Sequence, residues 1–162
     1  MNAITIRKIE SKDDAAIAAL IRSILIEHDA PKVGTAYEDT SLDRLSDVYS
    51  ADRSVYFVVE NEGVIIGGAG IAPLENGAAT VSELQKMYFL PQARGLGLGA
   101  ALIQQCLDAA KNFGFTHCYL ETLPNMQAAQ KLYTKFGFTY LDAPLGCTDH
   151  SSCPVWMLKD LV

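Results

Sequence analysis

The chain has 162 residues, of which 49% are hydrophobic and 20% charged, and its formal net charge at pH 7 is −6. This composition excludes a disordered or fibrous protein, and the length is most simply accounted for by one domain over residues 1–162. The negative charge argues against nucleic acid as a general partner and slightly favours a cationic small substrate.

The beginning of the chain and its longest apolar runs bear on its compartment. Residues 1–8 alternate like a strand and lack the apolar segment of a signal peptide. No apolar run approaches the roughly 20 residues that cross a bilayer, so we expect no membrane partner. A cytoplasmic location is the expectation, and with it four cysteines that remain thiols.

The first strand and the first helix are predicted from two hydrophobic patterns. Ile4 and Ile6 alternate with polar residues, which is typical of a strand. Ser11 and Asp14 then resemble a helix capping box, with Asp in place of the usual Glu. The apolar residues that follow fall on one helical face: Ile17, Leu20, Ile21, Ile24 and Leu25.

A shorter helix and three strands are predicted next. The helix turns Leu42, Leu45 and either Val48 or Tyr49 inward. Strands are predicted over residues 55–59, 64–74 and 79–90, and the first two are joined by a hairpin turn at 61–63.

Helices and strands alternate in the rest of the chain. A long helix after residue 97 ends near Gly114, and a strand over 118–123 precedes a helix over 125–136 that ends at Gly137. The last strands are predicted over 138–141 and 155–158. Only the two strands that flank the long helix must be parallel, because a crossover joins them. The sequence therefore predicts an α/β domain with a mixed, mostly antiparallel sheet.

The segment from Arg94 to Ala100 joins a predicted strand to the long helix and carries three glycines, Gly95, Gly97 and Gly99. Glycines at alternate positions let a tight loop bring its backbone against a ligand. The N–H groups of this loop and of the helix start carry partial positive charge, so a phosphate is the natural occupant. Arg94 adds a full charge beside them. The alternative is a tight strand-to-helix turn without a ligand.

Two well-known phosphate loops fit this segment poorly. It lacks the Gly-Lys-Ser/Thr of a P-loop. Gly95, Gly97 and Ala100 match a loose dinucleotide fingerprint, but they follow 94 residues and only one clear strand–helix unit comes after them. A nicotinamide-dependent dehydrogenase is therefore disfavoured by the predicted topology.

A second motif near the C-terminus, together with the glycine loop, makes the chain resemble the GNAT family of N-acetyltransferases. The family loop, Arg/Gln-x-x-Gly-x-Gly/Ala, is matched by Arg94, Gly97 and Gly99, and the order of predicted elements matches the family fold. The stretch from residue 83 to 99 further resembles a bacterial subgroup with unassigned acceptors. The second motif is matched in order and spacing by Asn125, Ala128, Leu132, Tyr133, Gly137 and Phe138.

The resemblance implies a single-domain fold with a splayed parallel strand pair flanked by helices, and acetyl-CoA as the acyl donor. Its pantetheine arm would lie between the splayed strands, where one backbone N–H of the first strand polarises the thioester carbonyl. Asn125 would bond the arm, and it could also cap the helix that follows it, alone or at the same time. The residues implied in donor binding are Met87, Tyr88, Phe89, Arg94, Gly95, Leu96, Gly97, Leu98, Gly99, Ala100 and Asn125.

The resemblance also implies catalytic residues. Tyr133 would give a proton to the departing thiolate, the alternative being a surface position on an amphipathic helix. Glu83 and Glu121 are two candidates for the general base, and each could instead be a solvated or ion-paired strand residue. In a regular strand Glu83 would share a face with Met87 and Phe89.

The function predicted is transfer of the acetyl group to a primary amine of a small molecule or a protein, by direct attack in a ternary complex. A non-catalytic CoA-binding module of the same fold is the alternative. A homodimer stays open, since dimers are frequent in the family. Residues 37–39, His150 and Cys153 are candidates for the acceptor pocket. Cys147, His150 and Cys153 have metal-ligand spacing, but no convincing fourth ligand lies nearby, so we predict no metal.

Overall fold

A seven-stranded mixed sheet forms the centre of the computed structural model, which describes residues 4–28, 40–146 and 154–162. The strands lie in the order β1-β2-β3-β4-β5-β7-β6. Only β4 and β5 are parallel, which confirms the predicted mixed, mostly antiparallel sheet. The strands are β1 (Ile4–Lys8), β2 (Val55–Asn61), β3 (Val64–Pro73), β4 (Val81–Phe89), β5 (His117–Thr122), β6 (Thr139–Tyr140) and β7 (Val155–Asp160).

Helices pack on both faces of this sheet. They are α1 (Asp14–Glu27), α2 (Leu45–Val48), α3 (Leu98–Asn112) and α4 (Gln127–Lys135). Alternate residues of β2 point to the two sides: Phe57 and Val59 are buried in the cluster that includes α3, and Tyr56 and Val58 in the one that includes α1. We call these sides the α3 face and the α1 face. Residues from α4 lie on the α3 face and residues from α2 on the α1 face.

The apolar side chains predicted to face inward do so. The five α1 residues are buried, as are Leu42, Leu45 and Tyr49, and Val48 is partly buried against the same cluster. The predicted hairpin turn lies at Glu62 and Gly63, both with positive φ. No helix among the described residues is long and apolar enough to cross a membrane.

The start of α1 differs from the prediction. A 3₁₀ turn over Ser11–Asp13 precedes the helix, and the Asp13 side chain accepts a hydrogen bond from the backbone N–H of Glu10 at 2.8 Å. Asp14 instead accepts hydrogen bonds from the backbone N–H and the hydroxyl of Ser46, at 2.9 and 2.7 Å. The capping box predicted at Ser11 and Asp14 is therefore wrong, because Glu10 and Asp13 form the box one residue earlier and Asp14 joins α1 to α2.

The parallel pair β4–β5 is splayed. The two strands pair only from Val81 to Glu83, and β4 continues six residues further beside β3 alone. Within that stretch Gly70 is opposite Gln85 while Gly68 is opposite Tyr88, so β4 carries one extra residue there. We call this the β4 bulge; at it Lys86 has a φ of 52°, in the left-handed region. The bulge bends β4 locally, and a slot opens between β4 and β5.

Candidate active site

A groove of about 540 Å³ lies beside the end of β4, the glycine loop and the start of α4. All but one of the residues predicted to bind the donor line this groove. Leu96 does not line it and is 58% exposed. The others all line it: Met87, Tyr88, Phe89, Arg94, Gly95, Gly97, Leu98, Gly99, Ala100 and Asn125.

The three loop glycines have two different tasks. Gly95 and Gly97 have φ values of 79° and 74°, and a Cβ on either would meet no atom within 4 Å, so they provide the turn beside open space. A Cβ on Gly99 would lie 2.7 Å from the Leu132 side chain, so Gly99 lets the first turn of α3 pack closely on α4. The first N–H groups of α3 have no partner within the helix, and residues 98–100 line the groove.

Arg94 is held by the end of α1. Its guanidinium donates to both carboxylate oxygens of Glu27, at 2.6 and 2.9 Å, and to the carbonyl of Phe89 at 3.0 Å. The hydrogen bonds from Arg94 hold the pKa of the Glu27 carboxyl below its ordinary value. The positive charge predicted beside the loop is therefore shared with a carboxylate from α1. Glu27 lies 67 residues before Arg94, and no local sequence pattern signals this contact.

Asn125 also contacts the end of α1. Its side-chain amide donates to the carbonyl of His28, and α4 begins only at Gln127 with no side-chain cap. The alternative that Asn125 caps this helix is therefore wrong, because its side chain is turned towards α1. Since Arg94 and Asn125 both line the groove, the last turn of α1 is tied to the groove at two places.

A smaller cavity of about 40 Å³ lies in the slot between β4 and β5. All three predicted catalytic residues line it: Glu83, Glu121 and Tyr133. It shares four lining residues with the groove, namely Met87, Tyr88, Met126 and Ala129, so the two spaces adjoin.

Tyr133 lies on the α3 face and is only 5% exposed, which excludes the surface position considered from the sequence. Its ring packs edge to face against Phe138, with centroids 5.9 Å apart. Burial raises the pKa of the phenol above its ordinary value, so the hydroxyl keeps its proton. None of the described residues hydrogen-bonds that hydroxyl, which leaves it able to donate to a ligand in the cavity.

Glu83 lies on the α1 face and is only 4% exposed. The expectation that it shares a face with Met87 and Phe89 is wrong, because the β4 bulge turns those two side chains to the α3 face. Burial raises the pKa of the Glu83 carboxyl to about 7. One of its oxygens accepts a hydrogen bond from the Gln85 amide at 2.6 Å; the other has no partner among the described residues.

Glu121 is partly buried on β5 and accepts a hydrogen bond from the Tyr119 hydroxyl at 2.7 Å. Burial and this bond raise the pKa of Tyr119 above its ordinary value. The flanking residues Cys118 and Leu120 are buried on the α3 face, so Tyr119 and Glu121 lie on the α1 face. Both carboxylates are therefore on one side of the slot, and the Tyr133 phenol is on the other.

Several predicted residues fall outside the described part of the chain: residues 37–39, and Cys147, His150 and Cys153. Within the described part, no group of three or more His, Cys, Asp or Glu side chains could hold a metal ion. Cys106 and Cys118 are buried as free thiols.

Comparison with known proteins gives consistent similarities. Residues 21–138 match the sequence model of the acetyltransferase (GNAT) family. The chain is 43% identical over 156 residues to YjgM, an uncharacterized N-acetyltransferase of Escherichia coli, with 96% of this chain and 93% of that protein covered. A GNAT-family acetyltransferase structure from Staphylococcus aureus superposes with a TM-score of 0.87 at 22% identity, covering 99% and 100% of the two chains. YncA of Salmonella typhimurium, whose structure includes acetyl-CoA, gives 0.77 at 21% identity, covering 99% and 95%.

Proposed function

Because this chain belongs to the GNAT family of acetyltransferases, we propose that it transfers the acetyl group of acetyl-CoA to a primary amine by direct attack in a ternary complex. Family membership confirms the predicted class, an acetyl-CoA-dependent acyltransferase. The observation that carries the finer proposal is the slot itself, which has carboxylates on one side, a protonated phenol on the other and the groove of the glycine loop next to it. The amine belongs to a small molecule or a protein.

The groove suits the donor. Backbone N–H groups from Gly95 to Ala100 would hold the pyrophosphate, with the partial positive charge of the α3 N-terminus behind them. Beyond Glu83 the edge of β4 that faces β5 pairs with no strand among the described residues. The pantetheine arm would pair with the backbone of Met87, Tyr88 and Phe89 like an added strand, and one of these N–H groups would polarise the thioester carbonyl.

The slot suits the transfer step. The amine nitrogen attacks the thioester carbon, an oxyanion forms, and the carbon–sulfur bond then breaks to release the CoA thiolate. Glu83, with a pKa near 7, would take the proton that the amine loses. Tyr133 would give its proton to the thiolate. Because the carboxylates and the phenol lie on opposite sides, the amine would enter from the α1 face and the thioester from the α3 face.

Glu121 is the second candidate for the base. Its carboxylate accepts a hydrogen bond from Tyr119 and is less buried than Glu83. We assign the proton transfer to Glu83, since its pKa lies close to neutral pH, and give Glu121 an electrostatic role towards a cationic amine. A cytoplasmic location and a homodimer stay predictions.

A non-catalytic CoA-binding module is the second candidate function. The groove alone would support it, but a module needs neither a buried carboxylate with a raised pKa nor a phenol held ready in the slot. These two groups favour catalysis.

Calorimetry and thiol release together test the proposal. Acetyl-CoA and a non-hydrolysable analogue should both bind, and a panel of primary amines should include some that accelerate release of free CoA thiol. Binding of both ligands with no amine-dependent release would favour the module instead. Absence of acetyl-CoA binding would contradict both functions.

A further inference from the structure

We propose that Gln85 is a positioning residue that holds Glu83 for proton transfer, and that Tyr49 fixes the orientation of the Gln85 amide. This inference rests on the proposed function, in which Glu83 is the base. It assigns a role to two residues that neither the sequence motifs nor the comparisons single out.

A chain of two short hydrogen bonds joins the three side chains. The Tyr49 hydroxyl donates to the Gln85 side-chain oxygen at 2.5 Å, and the Gln85 side-chain nitrogen donates to one oxygen of Glu83 at 2.6 Å. An ionised carboxylate can only accept, so the amide must turn its NH₂ group to Glu83 and its oxygen to the phenol. Tyr49 supplies the donor that this orientation requires.

The backbone is shaped around this chain. Gln85 lies opposite Gly70, directly before the β4 bulge. A Cβ on Gly70 would come within 2.8 Å of the Tyr49 ring, so the glycine makes the space that Tyr49 occupies. Tyr49 is 5% exposed and packs against the Tyr56 ring with centroids 5.2 Å apart. This packing fixes the position of the Tyr49 phenol independently of its hydrogen bond to Gln85.

The charges around Glu83 show what the Gln85 contact contributes. Burial and the carboxylates of Glu121 and Glu75 raise the pKa of Glu83, whereas the Gln85 hydrogen bond and Lys86 lower it. On β5, Cys118 and Tyr119 also interact electrostatically with the Glu83 carboxylate. Both keep their protons because burial raises their pKa values.

The Gln85 contact has two consequences for the reaction. It keeps a useful fraction of Glu83 ionised at neutral pH, which a base needs before it can take a proton. It also occupies one carboxylate oxygen and leaves the other for the amine.

The test measures the pKa of Glu83 directly, by ¹³C NMR titration of glutamate carboxyl carbons, with the Glu83 signal assigned from its loss in Glu83→Gln. In Gln85→Leu we expect the pKa to rise by about one pH unit, the effect of losing one hydrogen bond to a charged group. Tyr49→Phe should raise it less. Tyr56→Phe is the matched control, since this buried hydroxyl on the same face donates to the Lys86 carbonyl and not to the Gln85 chain.

The same variants should move the acidic limb of the pH profile of kcat/KM. Gln85→Leu should lose about fivefold at pH 7 and regain most of its activity at pH 9, because the base is ionised there. A merely structural role would lower kcat/KM equally at all pH values. Gln85→Glu keeps the shape of the side chain and the acceptor for Tyr49, and its carboxylate should raise the Glu83 pKa further. This variant provides the test if Gln85→Leu does not fold.

Two outcomes would overturn the inference in different ways. An unmoved Glu83 pKa and acidic limb in both Gln85 variants, with activity still lost in Glu83→Gln, would overturn it and leave the proposed function intact. Full activity in Glu83→Gln would overturn the base assignment and this inference together.

Discussion

The groove beside the glycine loop and the slot between β4 and β5 are built from different chemical groups. In the proposed function the groove would bind the donor phosphates through backbone N–H groups, and the glycines at 95, 97 and 99 mainly make room. The slot takes its chemistry from side chains, Glu83, Gln85 and others, whose protonation depends on burial and on neighbours far along the chain. Damage to one region should therefore change binding, and damage to the other should change turnover.

Tyr133→Phe should give the largest effect. Loss of the phenol proton should lower kcat about ten- to thousandfold with little change in acetyl-CoA affinity, because the ring still packs on Phe138. Turnover kinetics and calorimetry measure the two quantities. Tyr140→Phe, which removes an exposed hydroxyl bonded to Gln130, is the control. Unchanged kcat in Tyr133→Phe would remove this residue from the mechanism.

Gly97→Asp tests the groove, where we expect a change in binding. A carboxylate and a left-handed non-glycine backbone at the phosphate site should weaken acetyl-CoA binding about 30- to 100-fold. Gly63→Asp is matched to it, because Gly63 also has a positive φ and open space but lies in the β2–β3 turn. If calorimetry shows the same affinity for both folded variants, the loop does not bind the phosphates.

Glu83→Gln should raise stability while it lowers activity. The folded state holds the Glu83 proton up to about pH 7, whereas the unfolded chain releases it near pH 4.5. The wild type therefore loses stability relative to the variant as the pH rises from 4.5 to 7, and the difference is constant above that. From urea unfolding we expect the variant to be more stable than the wild type by about 3 kcal/mol at pH 8 and equally stable at pH 4. Glu62→Gln, exposed in a turn, should show no such dependence; an equal gain at both pH values would refute the raised pKa.

Glu27→Gln should give the smallest effect. It removes a negative charge beside the groove and frees the Arg94 guanidinium for the donor phosphates. Acetyl-CoA affinity should rise about two- to threefold at low ionic strength and less at high salt. Glu62→Gln makes the same change in net charge away from the groove. Weaker binding in Glu27→Gln would instead mean that α1 holds Arg94 in its binding position.

The fold and the groove could be predicted because their signals are local. Alternating or helically spaced apolar residues place the strands and the three longer helices within about two residues of their observed ends, whereas Leu42 of the predicted short helix lies in a 3₁₀ turn before α2. Gly95 and Gly97 mark the loop because a positive φ next to a helix start strongly favours glycine. Burial of Tyr133 follows from a motif whose helix packs on the α3 face.

The arrangement of the slot could not be predicted, because its determinants are not local. The β4 bulge centres on Lys86, a residue type that gives no signal for a positive φ, and it moves Met87 and Phe89 to the face opposite Glu83. The Tyr49–Gln85 contact joins residues 36 positions apart, and the Arg94–Glu27 pair spans 67. Such contacts exist only after α1 and α2 have packed on the sheet.

In the proposed reaction, the splay of β4 from β5 would let the two reactants reach the slot from opposite faces of the sheet. Reactants that enter from opposite faces need not pass one another, and each product can leave on the face from which its reactant entered. A compound anchored on one face and long enough to thread the opening would occupy both routes at once. The same division would let the amine side be remodelled for another acceptor while the donor side is kept.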